Sequence, residues 1–352
     1  MKISAFKAIR FNQCYWNKSN ISQFTNFDTK DKKQKTLNIM NFINNQISNG
    51  TAIIDELPSL YVTKLTTPEK SVTSVIGEVN HNDKSIFIPN EDVHQDKLET
   101  YRKIFDTFKM QISPVLTFYK GEDSINKIAS SVMQTNPIIS AKIQDTTYEL
   151  WKVSEFAKIS AIQNHLKKIQ KLYIADGHHR FAMFNARTSY FDAKIVVSIT
   201  DSKSILLKSC HRIILCDIAN DWLQRLSKFA EISTSGNSRE YIVIKMRNGE
   251  TFYIKFADNN ACLYESIKKY IIENAFEVQN YEQSVFPLPG NLDISNSNNI
   301  FNLYQTGRAI IFIPATTTDN FMQIIENGEK LPPTSTWFEP KIIDGFIMRR
   351  FC

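Results

Sequence analysis

The residues of this chain that are best suited to chemistry lie together at positions 173–182, which read YIADGHHRFA. Five consecutive positions in this stretch hold Asp176, Gly177, His178, His179 and Arg180. An apolar run precedes them and an amphipathic run follows, so we expect them at the junction between a strand and a helix. Folding alone rarely explains so many polar side chains at such a junction, so this stretch is the first candidate for a reaction centre.

A strand that turns into a helix at this point would create an anion-binding site. The first amide groups of a helix have no acceptor within the helix, and its dipole adds partial positive charge, so residues 177–180 could cradle a phosphate. Gly177 lets a ligand approach the backbone, and Arg180 could bind phosphate oxygens in a bidentate manner. His178 and His179 would diverge by about 100° on a helix, so one would face the ligand while the other packs or orients.

Asp176 does not suit a phosphate site by itself, because a carboxylate repels an anion. A Mg²⁺ ion bound by Asp176 and by phosphate oxygens would remove that conflict. Asp176 also suits a plain N-cap of the following helix. The residues alone therefore leave three interpretations, which are a phosphate site, another kind of catalytic site, and a structural turn with a cap.

Two further polar clusters could complete a site. Glu91 and Asp92 lie between a strand end and a helix start, where a carboxylate could be the general base for a substrate hydroxyl or could only complement the helix dipole. His211 and Arg212 lie between two apolar runs, where they could reach a ligand or mark an exposed strand end. Cys210 is not expected to be a nucleophile activated by His211, because neighbours on a strand point to opposite faces.

A fourth cluster near the C-terminus, at positions 332–341, reads PPTSTWFEPK. Its prolines, hydroxyl side chains and aromatic residues predict a stiff, shaped loop. If the loop covers a site, Ser335, Thr336 and Lys341 are candidate substrate-binding residues. The residues alone favour the alternative, in which the loop only packs the C-terminus.

Apolar periodicity predicts the elements that position these clusters. Strands are expected at residues 60–62, 72–79, 85–89, 113–119, 171–174, 194–199 and 309–313, with one or two more within 204–215. Helices are expected at residues 35–47, 96–108, 155–169, 178–190, 264–276 and 318–327. Residues 241–256 predict a hairpin with its turn at Asn248-Gly249, and the Asn- and Ser-rich residues 291–302 predict a loop. Because strands and helices mix without strict β-α-β order, the expected fold class is α+β.

The length of 352 residues and the apolar content of 42% indicate a folded chain with a sizeable core. Three regions are predicted: a β-rich N-terminal region at 1–80, a core with the 176–180 loop at 81–215, and an α+β region at 216–352 that closes over the core.

Charge, cysteines and hydropathy exclude several classes of protein. The net charge of +6 mildly favours anionic ligands but is not a nucleic-acid signature. The five cysteines are scattered, without the spacing of a disulfide framework or a zinc site. No apolar run is long enough to span a membrane, and the N-terminus lacks the apolar core of a signal peptide, so the cytoplasm is the expected location.

These clusters, in this order and at these separations, resemble the DUF1015 family of bacterial and archaeal proteins. The hallmark A-D-G-H-H-R motif is matched in full at residues 175–180. The flanking motifs are matched by the opening at residues 5–10, the acidic segment at 90–92, Ser-Pro at 113–114, the T-H-R-like motif at 210–212, and the C-terminal motif at 332–341. The resemblance covers residues 1–12 and 55–350.

The chain departs from the family pattern at three places. The Pro-Pro-Tyr-Asp segment usual near the N-terminus is absent, and residues 13–55 are short and polar instead. Asn90 stands where a His usually precedes the acidic residue, and Thr334 replaces the Lys of the C-terminal motif. The chain therefore resembles a divergent member, whose activity could have drifted.

The D-G-H-H-R element is also similar to the phosphate-binding motif of the ParB/sulfiredoxin-like superfamily, which includes free-serine kinases, CTP-binding partition proteins and sulfiredoxin. This resemblance implies a ParB/sulfiredoxin-like mixed core. It implies that Glu91 acts on a substrate hydroxyl, that Asp176 binds Mg²⁺, and that His178 is a catalytic group. It further implies nucleotide phosphate contacts from Gly177, His178, His179, Arg180, His211 and Arg212.

The function implied by the resemblance is a small-molecule kinase that uses ATP or ADP with Mg²⁺ to phosphorylate a hydroxyl, with free serine as one candidate. One alternative is a CTP- or ATP-gated binding module without turnover, and another is a phosphate-ester hydrolase. DNA binding is disfavoured, because the sequence shows no helix-turn-helix, basic tail or basic-aromatic stripe. The sequence does not predict which substrate or nucleotide binds, or the oligomeric state.

Overall fold

The computed structural model describes the chain in ranges, which are residues 1–16, 32–80, 85–91, 93, 98–99, 102, 105–106, 108–121, 124–185, 194–256, 263–328, 331 and 335–351. Only the backbone is described for residues 32–33, 35–36, 39–40 and 185. The chain divides into two units. Unit one contains Met1–Pro89, Val93–Leu206 and Pro340–Cys352, and unit two contains Asn90–Asp92 and Leu207–Glu339.

The described strands are numbered β1 to β21 in chain order. They are β1 (Ile3–Ser4), β2 (Ile9–Phe11), β3 (Ala52–Ile54), β4 (Leu60–Thr66), β5 (Ser71–Asn80), β6 (Phe87–Ile88), β7 (Met110–Gln111), β8 (Val115–Tyr119), β9 (Ile139–Ile143), β10 (Thr146–Val153), β11 (Leu172–Asp176), β12 (Lys194–Asp201), β13 (Leu206–Ser209), β14 (His211–Ile214), β15 (Ala230–Ser233), β16 (Ile242–Met246), β17 (Thr251–Phe256), β18 (Val285–Leu288), β19 (Ala309–Phe312), β20 (Thr336–Glu339) and β21 (Arg349–Arg350).

The described α-helices are numbered α1 to α9. They are α1 (Lys32–Ser48), α2 (Ser124–Met133), α3 (Phe156–Leu166), α4 (His178–Asn185), α5 (Trp222–Leu226), α6 (Leu263–Ser266), α7 (Tyr281–Ser284), α8 (Ser297–Leu303) and α9 (Thr318–Glu326). A π-helix (Ile267–Ala275) continues α6, and short 3₁₀-helices cover Gln13–Tyr15 and Ile294–Asn296. None of the helices in the described ranges is long and apolar enough to cross a membrane.

Unit one is built on a mixed sheet with the strand order β6-β11-β8-β12-β5-β4-β10-β9, and β1 lies beside β5. The pairs β6–β11 and β8–β12 are parallel, whereas β8–β11, β5–β12 and β4–β5 are antiparallel. In β11 the register with β8 shifts between Ile174 and Asp176, which marks a bulge at the end of the strand. A bulge re-aims the side chain that follows it, and here that side chain is Asp176.

The central strands of this sheet are buried on both faces, because apolar side chains occupy odd and even positions alike. Ile195, Val197 and Ile199 of β12 belong to one apolar cluster, and Val196 belongs to a second. Successive side chains of a strand point to opposite faces, so the two clusters cover the two faces of the sheet. The first cluster includes buried residues of α2, α3 and α4, and the second includes the N-terminal segment and Ile43 of α1.

The C-terminal segment of the chain is an integral part of unit one. β21 pairs antiparallel with β7, Met348 pairs with Ile9 in an isolated bridge, and Phe351 donates its amide to the carbonyl of Lys109. Arg349 contacts the buried carboxylate of Glu78. The C-terminal segment therefore forms a separate two-stranded sheet with β7 and adds buried side chains to the core of this unit.

A buried network of ion pairs and hydrogen bonds connects the N-terminal segment of unit one to its sheet. The carboxylate of Asp55, with 3% of its side chain exposed, accepts from Arg10 Nη2 at 3.0 Å and lies 3.1 Å from Lys152 Nζ. The Tyr61 hydroxyl donates to Asp55 Oδ2 at 2.7 Å and accepts from the amide of Ala8 at 3.3 Å. Burial raises the pKa of Asp55, but the hydrogen bonds and charges of Arg10, Tyr61 and Lys152 outweigh burial and hold this pKa below its usual value.

Unit two contains an antiparallel sheet with the order β15-β17-β16-β19-β14-β18. The predicted hairpin is confirmed: β16 and β17 pair in antiparallel fashion, and Gly249 at the turn has a φ of +99°. A core cluster on this sheet includes the buried residues Ile213, Val243 and Ile310. A second, two-stranded sheet joins β13 to β20.

The α+β class is confirmed by these two sheets and their helices. The loop prediction for residues 291–302 is wrong, because the Asn- and Ser-rich segment caps a helix. The side chain of Asp293 accepts from the amide of Ser295, that of Asn296 accepts from the amide of Asp293, and α8 follows. The predicted helices at 96–108 and 178–190 lie partly outside the described residues, and the division into three regions stays a prediction.

Candidate functional site

The 176–180 stretch lies at a strand-to-helix junction, as predicted. β11 ends at Asp176, Gly177 has a φ of +94°, and α4 begins at His178. The first helical hydrogen bond runs from the amide of Phe181 to the carbonyl of Gly177 at 2.9 Å. The amides before Phe181 lie in the first turn, where a helix offers no acceptor of its own. The backbone therefore places a helix N-terminus directly after the Asp176 carboxylate.

Gly177 is needed at this junction for two reasons. Its φ of +94° is in a region that residues with a Cβ atom rarely adopt. A Cβ atom at this position would also lie 2.9 Å from both Nε and Nη2 of Arg180. The guanidinium of Arg180 thus lies against the backbone of Gly177, in the space that a side chain would fill.

Replacing Gly177 with alanine is expected to destabilise unit one more than the same change at Gly50. Both glycines have a positive φ, but a Cβ at Gly50 would meet nothing within 4 Å. Gly50→Ala should cost roughly 1 kcal/mol of backbone strain, and Gly177→Ala about 1–3 kcal/mol more, because Arg180 must move. Urea unfolding measures both. Equal losses in the two variants would show that Arg180 is not held against residue 177.

Asp176 forms ion pairs with two cations. Arg180 Nη2 donates to Oδ2 at 2.9 Å, and Lys341 Nζ donates to Oδ1 at 2.8 Å. The exposed fractions are 34% for the Asp176 side chain and 35% for Lys341, so solvent reaches this pair. Arg180 also approaches Asp344 with its other terminal nitrogen, at 3.5 Å between Nη1 and Oδ1. The cluster therefore joins two carboxylates, a guanidinium and an ammonium group.

The protonation states at the loop follow from burial and charge. Burial raises the pKa of Asp176, but the Arg180 and Lys341 charges outweigh burial and hold this pKa below its usual value. Burial lowers the pKa of His178 to about 4, so the ring is neutral near pH 7. The His178 ring hydrogen-bonds the backbone at Ile174, whereas His179 is half-buried. The Asp176 carboxylate is therefore ionised near pH 7, and the His178 ring beside it is neutral.

Lys341 and Asp344 show what the sequence does and does not reveal about this cluster. Lys341 was predicted as a substrate-loop residue, and in the structure it binds Asp176, 165 positions away in the chain. Asp344 was not predicted. Asp344 lies three residues after Lys341, and this spacing matches no sequence motif. Asp344 reaches Arg180 only because the C-terminal segment folds back on unit one.

The carboxylate of Asp176 fits one part of a Mg²⁺ site. Ionised carboxylates suit Mg²⁺, which commonly takes one or two of them together with phosphate oxygens. Among the described residues, no group of three or more His, Cys, Asp or Glu side chains could hold a metal ion. A Mg²⁺ ion at Asp176 would therefore depend on the oxygens of a bound phosphate.

In unit two, Glu91 lies beside the C-terminal motif. Its Oε1 accepts from the Thr336 hydroxyl at 3.2 Å, and its backbone forms a parallel bridge with Leu331. The amide of Leu331 donates to the carbonyl of Asn90 at 2.9 Å. Asp92, the other acidic residue of the predicted cluster, lies outside the described residues. The fold thus joins Glu91 to Thr336, two predicted site residues that are 245 positions apart.

The 210–212 motif also contacts the C-terminal motif. The amide of Cys210 donates to the carbonyl of Ser335 at 3.2 Å. His211 engages the backbone with both ring nitrogens: Nδ1 accepts from the amide of Ile313 at 3.0 Å, and Nε2 lies 2.9 Å from the carbonyl of Leu292. Burial lowers the pKa of His211 to about 4. His211 is thus a neutral ring in the Nε2–H tautomer, held by two backbone groups.

The fold and the site define an α+β protein with an Asp-Gly-His-His-Arg loop at a strand-to-helix junction. The chain matches the family described as "Protein of unknown function (DUF1015)" over residues 20–294, and it belongs to that family. No curated protein matches the chain.

Solved structures give distant matches. A conserved hypothetical protein from Pyrococcus furiosus is 14% identical, with a TM-score of 0.42 over 76% of this chain and 93% of that chain. A free serine kinase in complex with AMP is 14% identical, with a TM-score of 0.43 over 76% and 90%. C-terminally truncated SbnI from Staphylococcus aureus is 11% identical, with a TM-score of 0.45 over 76% and 85%. At these identities and scores, nothing about ligands follows from the matches.

Proposed function

We propose that Asp176, Gly177, Arg180 and Lys341 bind the phosphate groups of a nucleotide, and that the protein transfers a phosphoryl group to the hydroxyl of a small molecule. One observation supports this proposal most. Arg180 and Lys341 both contact the carboxylate of Asp176, which lies directly before the N-terminus of α4. Helix N-termini, arginine and lysine are the groups that proteins use most for phosphate.

The charges around Asp176 favour an incoming anion. Arg180 and Lys341 contribute two positive charges against the single negative charge of Asp176, and the helix N-terminus adds partial positive charge. Asp344 offsets part of this charge, but more than half of its side chain is exposed and it lies 3.5 Å from Arg180. A phosphate oxygen could replace it as a partner of Arg180, because exposed ion pairs are weak.

Asp176 would hold Mg²⁺ together with phosphate oxygens, and the ion would neutralise charge on the transferred group. Arg180 and Lys341 would then turn from the carboxylate to the phosphate oxygens and keep the phosphate chain in place. His178 is neutral and buried, so in this proposal it orients the loop through its bond to the Ile174 backbone. Phosphate contacts of His179, His211 and Arg212 stay predictions.

In the proposed transfer, the oxygen of a substrate hydroxyl forms a bond to the terminal phosphorus, and the P–O bond to the nucleotide breaks. The proton of the hydroxyl passes to a carboxylate, for which Glu91 is the proposed acceptor. Glu91 is half-buried, and the Thr336 hydroxyl fixes one of its oxygens. Ser335 and Thr336 are the proposed substrate-side residues, and free serine is one candidate substrate.

The test is a phosphoryl-transfer assay with ATP, ADP and CTP, Mg²⁺, and a panel of hydroxylated amino acids and sugars, followed by ³¹P NMR. We expect a new phosphate ester with at least one pair. Lys341→Gln should weaken nucleotide binding about 10- to 100-fold, the value of a charge-assisted contact. Lys142→Gln, at an exposed position of β9, is the matched control and should bind like the wild type.

Other outcomes would identify the alternatives. Nucleotide binding without any product would indicate a regulatory binding module, and release of inorganic phosphate from esters would indicate a hydrolase. If Lys341→Gln binds nucleotide as well as Lys142→Gln does, the loop is not the phosphate site. An intact rate in Glu91→Gln would remove Glu91 as the base without affecting the phosphate site.

A further inference from the structure

The main chain at Lys341 is held by a tyrosine that lies outside the sequence motifs. The hydroxyl of Tyr148, on β10, donates to the carbonyl of Lys341 at 3.4 Å. The two residues are 193 positions apart, and both belong to unit one. Tyr148 is only 6% exposed, so most of its side chain is shielded from water. The bond is long for a hydrogen bond, so it fixes the lysine only together with the packing around it.

Packing against one apolar cluster fixes the ring of Tyr148 and the residues that follow Lys341. The ring centroids of Tyr148 and Phe346 lie 5.6 Å apart, at an interplanar angle of 57°. Tilted aromatic rings at this separation attract each other beyond the effect of area burial. Ile342 and Ile343 pack against the cluster that contains both rings. The hydroxyl and the carbonyl are therefore brought together by two segments that pack against the same cluster.

The Tyr148 hydroxyl keeps its proton near neutral pH and can donate it to Lys341. Burial raises the pKa of Tyr148 and outweighs the opposing hydrogen bond of Thr146. A hydroxyl has one proton to donate, and the carbonyl of Lys341 is its acceptor in this structure. The contact therefore does not depend on the pH near neutrality.

The place of the Lys341 ammonium depends on where the main chain is fixed, because the four-carbon stem of lysine is flexible. The ammonium lies 2.8 Å from Asp176 Oδ1, and the Lys341 side chain is 35% exposed. A partly exposed ion pair is weak, so by itself it does not hold a flexible lysine in one position. We propose that Tyr148 is a positioning residue of the phosphate site: by holding the carbonyl of Lys341, it places the ammonium beside Asp176. The phosphate in this inference rests on the proposed function, whereas the placement of Lys341 can be measured without a nucleotide.

Acetylation kinetics, followed residue by residue by mass spectrometry, measure the placement of Lys341 in the free protein. Tyr148→Phe keeps the ring and removes only the hydroxyl. It should speed acetylation of Lys341 about 3- to 10-fold, because an ammonium that leaves its carboxylate loses its proton more easily. Lys142, at an exposed position of β9, is the internal reference and should react at the same rate in both proteins.

Tyr61→Phe is the matched control for this measurement. It also removes a buried tyrosine hydroxyl from unit one, the one that donates to Asp55, and it should leave the Lys341 rate unchanged. A Lys341 rate in Tyr148→Phe that equals the wild-type rate would overturn the proposal, whether or not the protein binds a nucleotide. An equal increase in Tyr61→Phe would overturn it too, since loosening of unit one would then be the cause.

Calorimetric titration with inorganic pyrophosphate tests the consequence for the phosphate site. Tyr148→Phe should weaken binding about 3- to 10-fold in the wild-type background. The loss should vanish in the Lys341→Gln background, because the tyrosine acts through the lysine. Equal losses in both backgrounds would contradict the positioning role. If the wild type does not bind pyrophosphate, the phosphate site of the proposed function fails, and the acetylation rates alone decide whether Tyr148 places Lys341.

Discussion

Asp176→Asn is expected to lower the rate of the proposed phosphoryl transfer at least about a hundredfold, without loss of the fold. Asparagine keeps the shape of the side chain but removes the charge that Arg180 and Lys341 share and that Mg²⁺ would require. Removal of one group that stabilises charge in a transition state typically costs 10²–10³ in rate. Single-turnover measurements with saturating nucleotide separate this loss from weaker binding.

The same variant should have the opposite effect on nucleotide binding without Mg²⁺. The neutral amide of Asp176→Asn no longer repels phosphate, and it leaves Arg180 and Lys341 free of their carboxylate partner. We therefore expect Mg²⁺-free binding to be as tight as in the wild type or tighter, and the Mg²⁺ dependence to disappear. Asp344→Asn is the matched control, because Asp344 also faces Arg180 but is more exposed. Equal rate losses in both variants would mean that Asp176 has no special role.

Asp55→Ala is expected to destabilise unit one by about 3–5 kcal/mol at pH 7, measured by urea unfolding. The substitution leaves Arg10 and Lys152 without their buried counter-charge, and it removes the acceptor of the Tyr61 hydroxyl. Breaking one side of a buried ion pair costs this much because the remaining charge stays desolvated. Lys158→Ala breaks the exposed pair with Glu155 and should change stability by less than about 0.5 kcal/mol.

The pH dependence of this effect has a definite sign. The pKa of Asp55 is lower in the folded state than in the unfolded chain, so between the two values the unfolded state binds more protons. The stability that Asp55 contributes is therefore present above about pH 4 and is lost as the pH falls through the folded-state pKa. The gap between the wild type and Asp55→Ala should narrow on acidification. A gap that stays constant down to about pH 3 would show that packing, not charge, causes the loss.

The local structure of the loop could be predicted from sequence because its signals are local. An apolar run, a glycine between polar residues and an amphipathic run specify strand, positive φ and helix in succession, and the structure has all three. The partners of Asp176 could not be predicted in the same way. Arg180 is one helical turn away, but Lys341 reaches Asp176 only because the C-terminal segment folds back on unit one.

Two kinds of element show where sequence patterns fail. The hairpin of β9 and β10 and helix α2 were not predicted, although β10 has buried positions such as Leu150 and Trp151 beside more exposed ones. At residues 291–302, the asparagine and serine residues predict a loop, whereas the structure has a helix at Ser297–Leu303. Side chains that cap a helix are the same ones that favour turns, and burial of Ile300 and Phe301 decided in favour of a helix.

The place of the C-terminal segment in unit one also determines when the charge cluster around Asp176 can be completed during synthesis. The loop at 176–180 leaves the ribosome long before Lys341, and β7 meets its partner β21 only when residues 349–350 appear. Nascent chains fold from the N-terminus, so most of the sheet can form while Asp176 has one of its two cations. The charge cluster is thus finished last, and a chain that stops short of residue 340 carries the complete loop motif but only half of its charges.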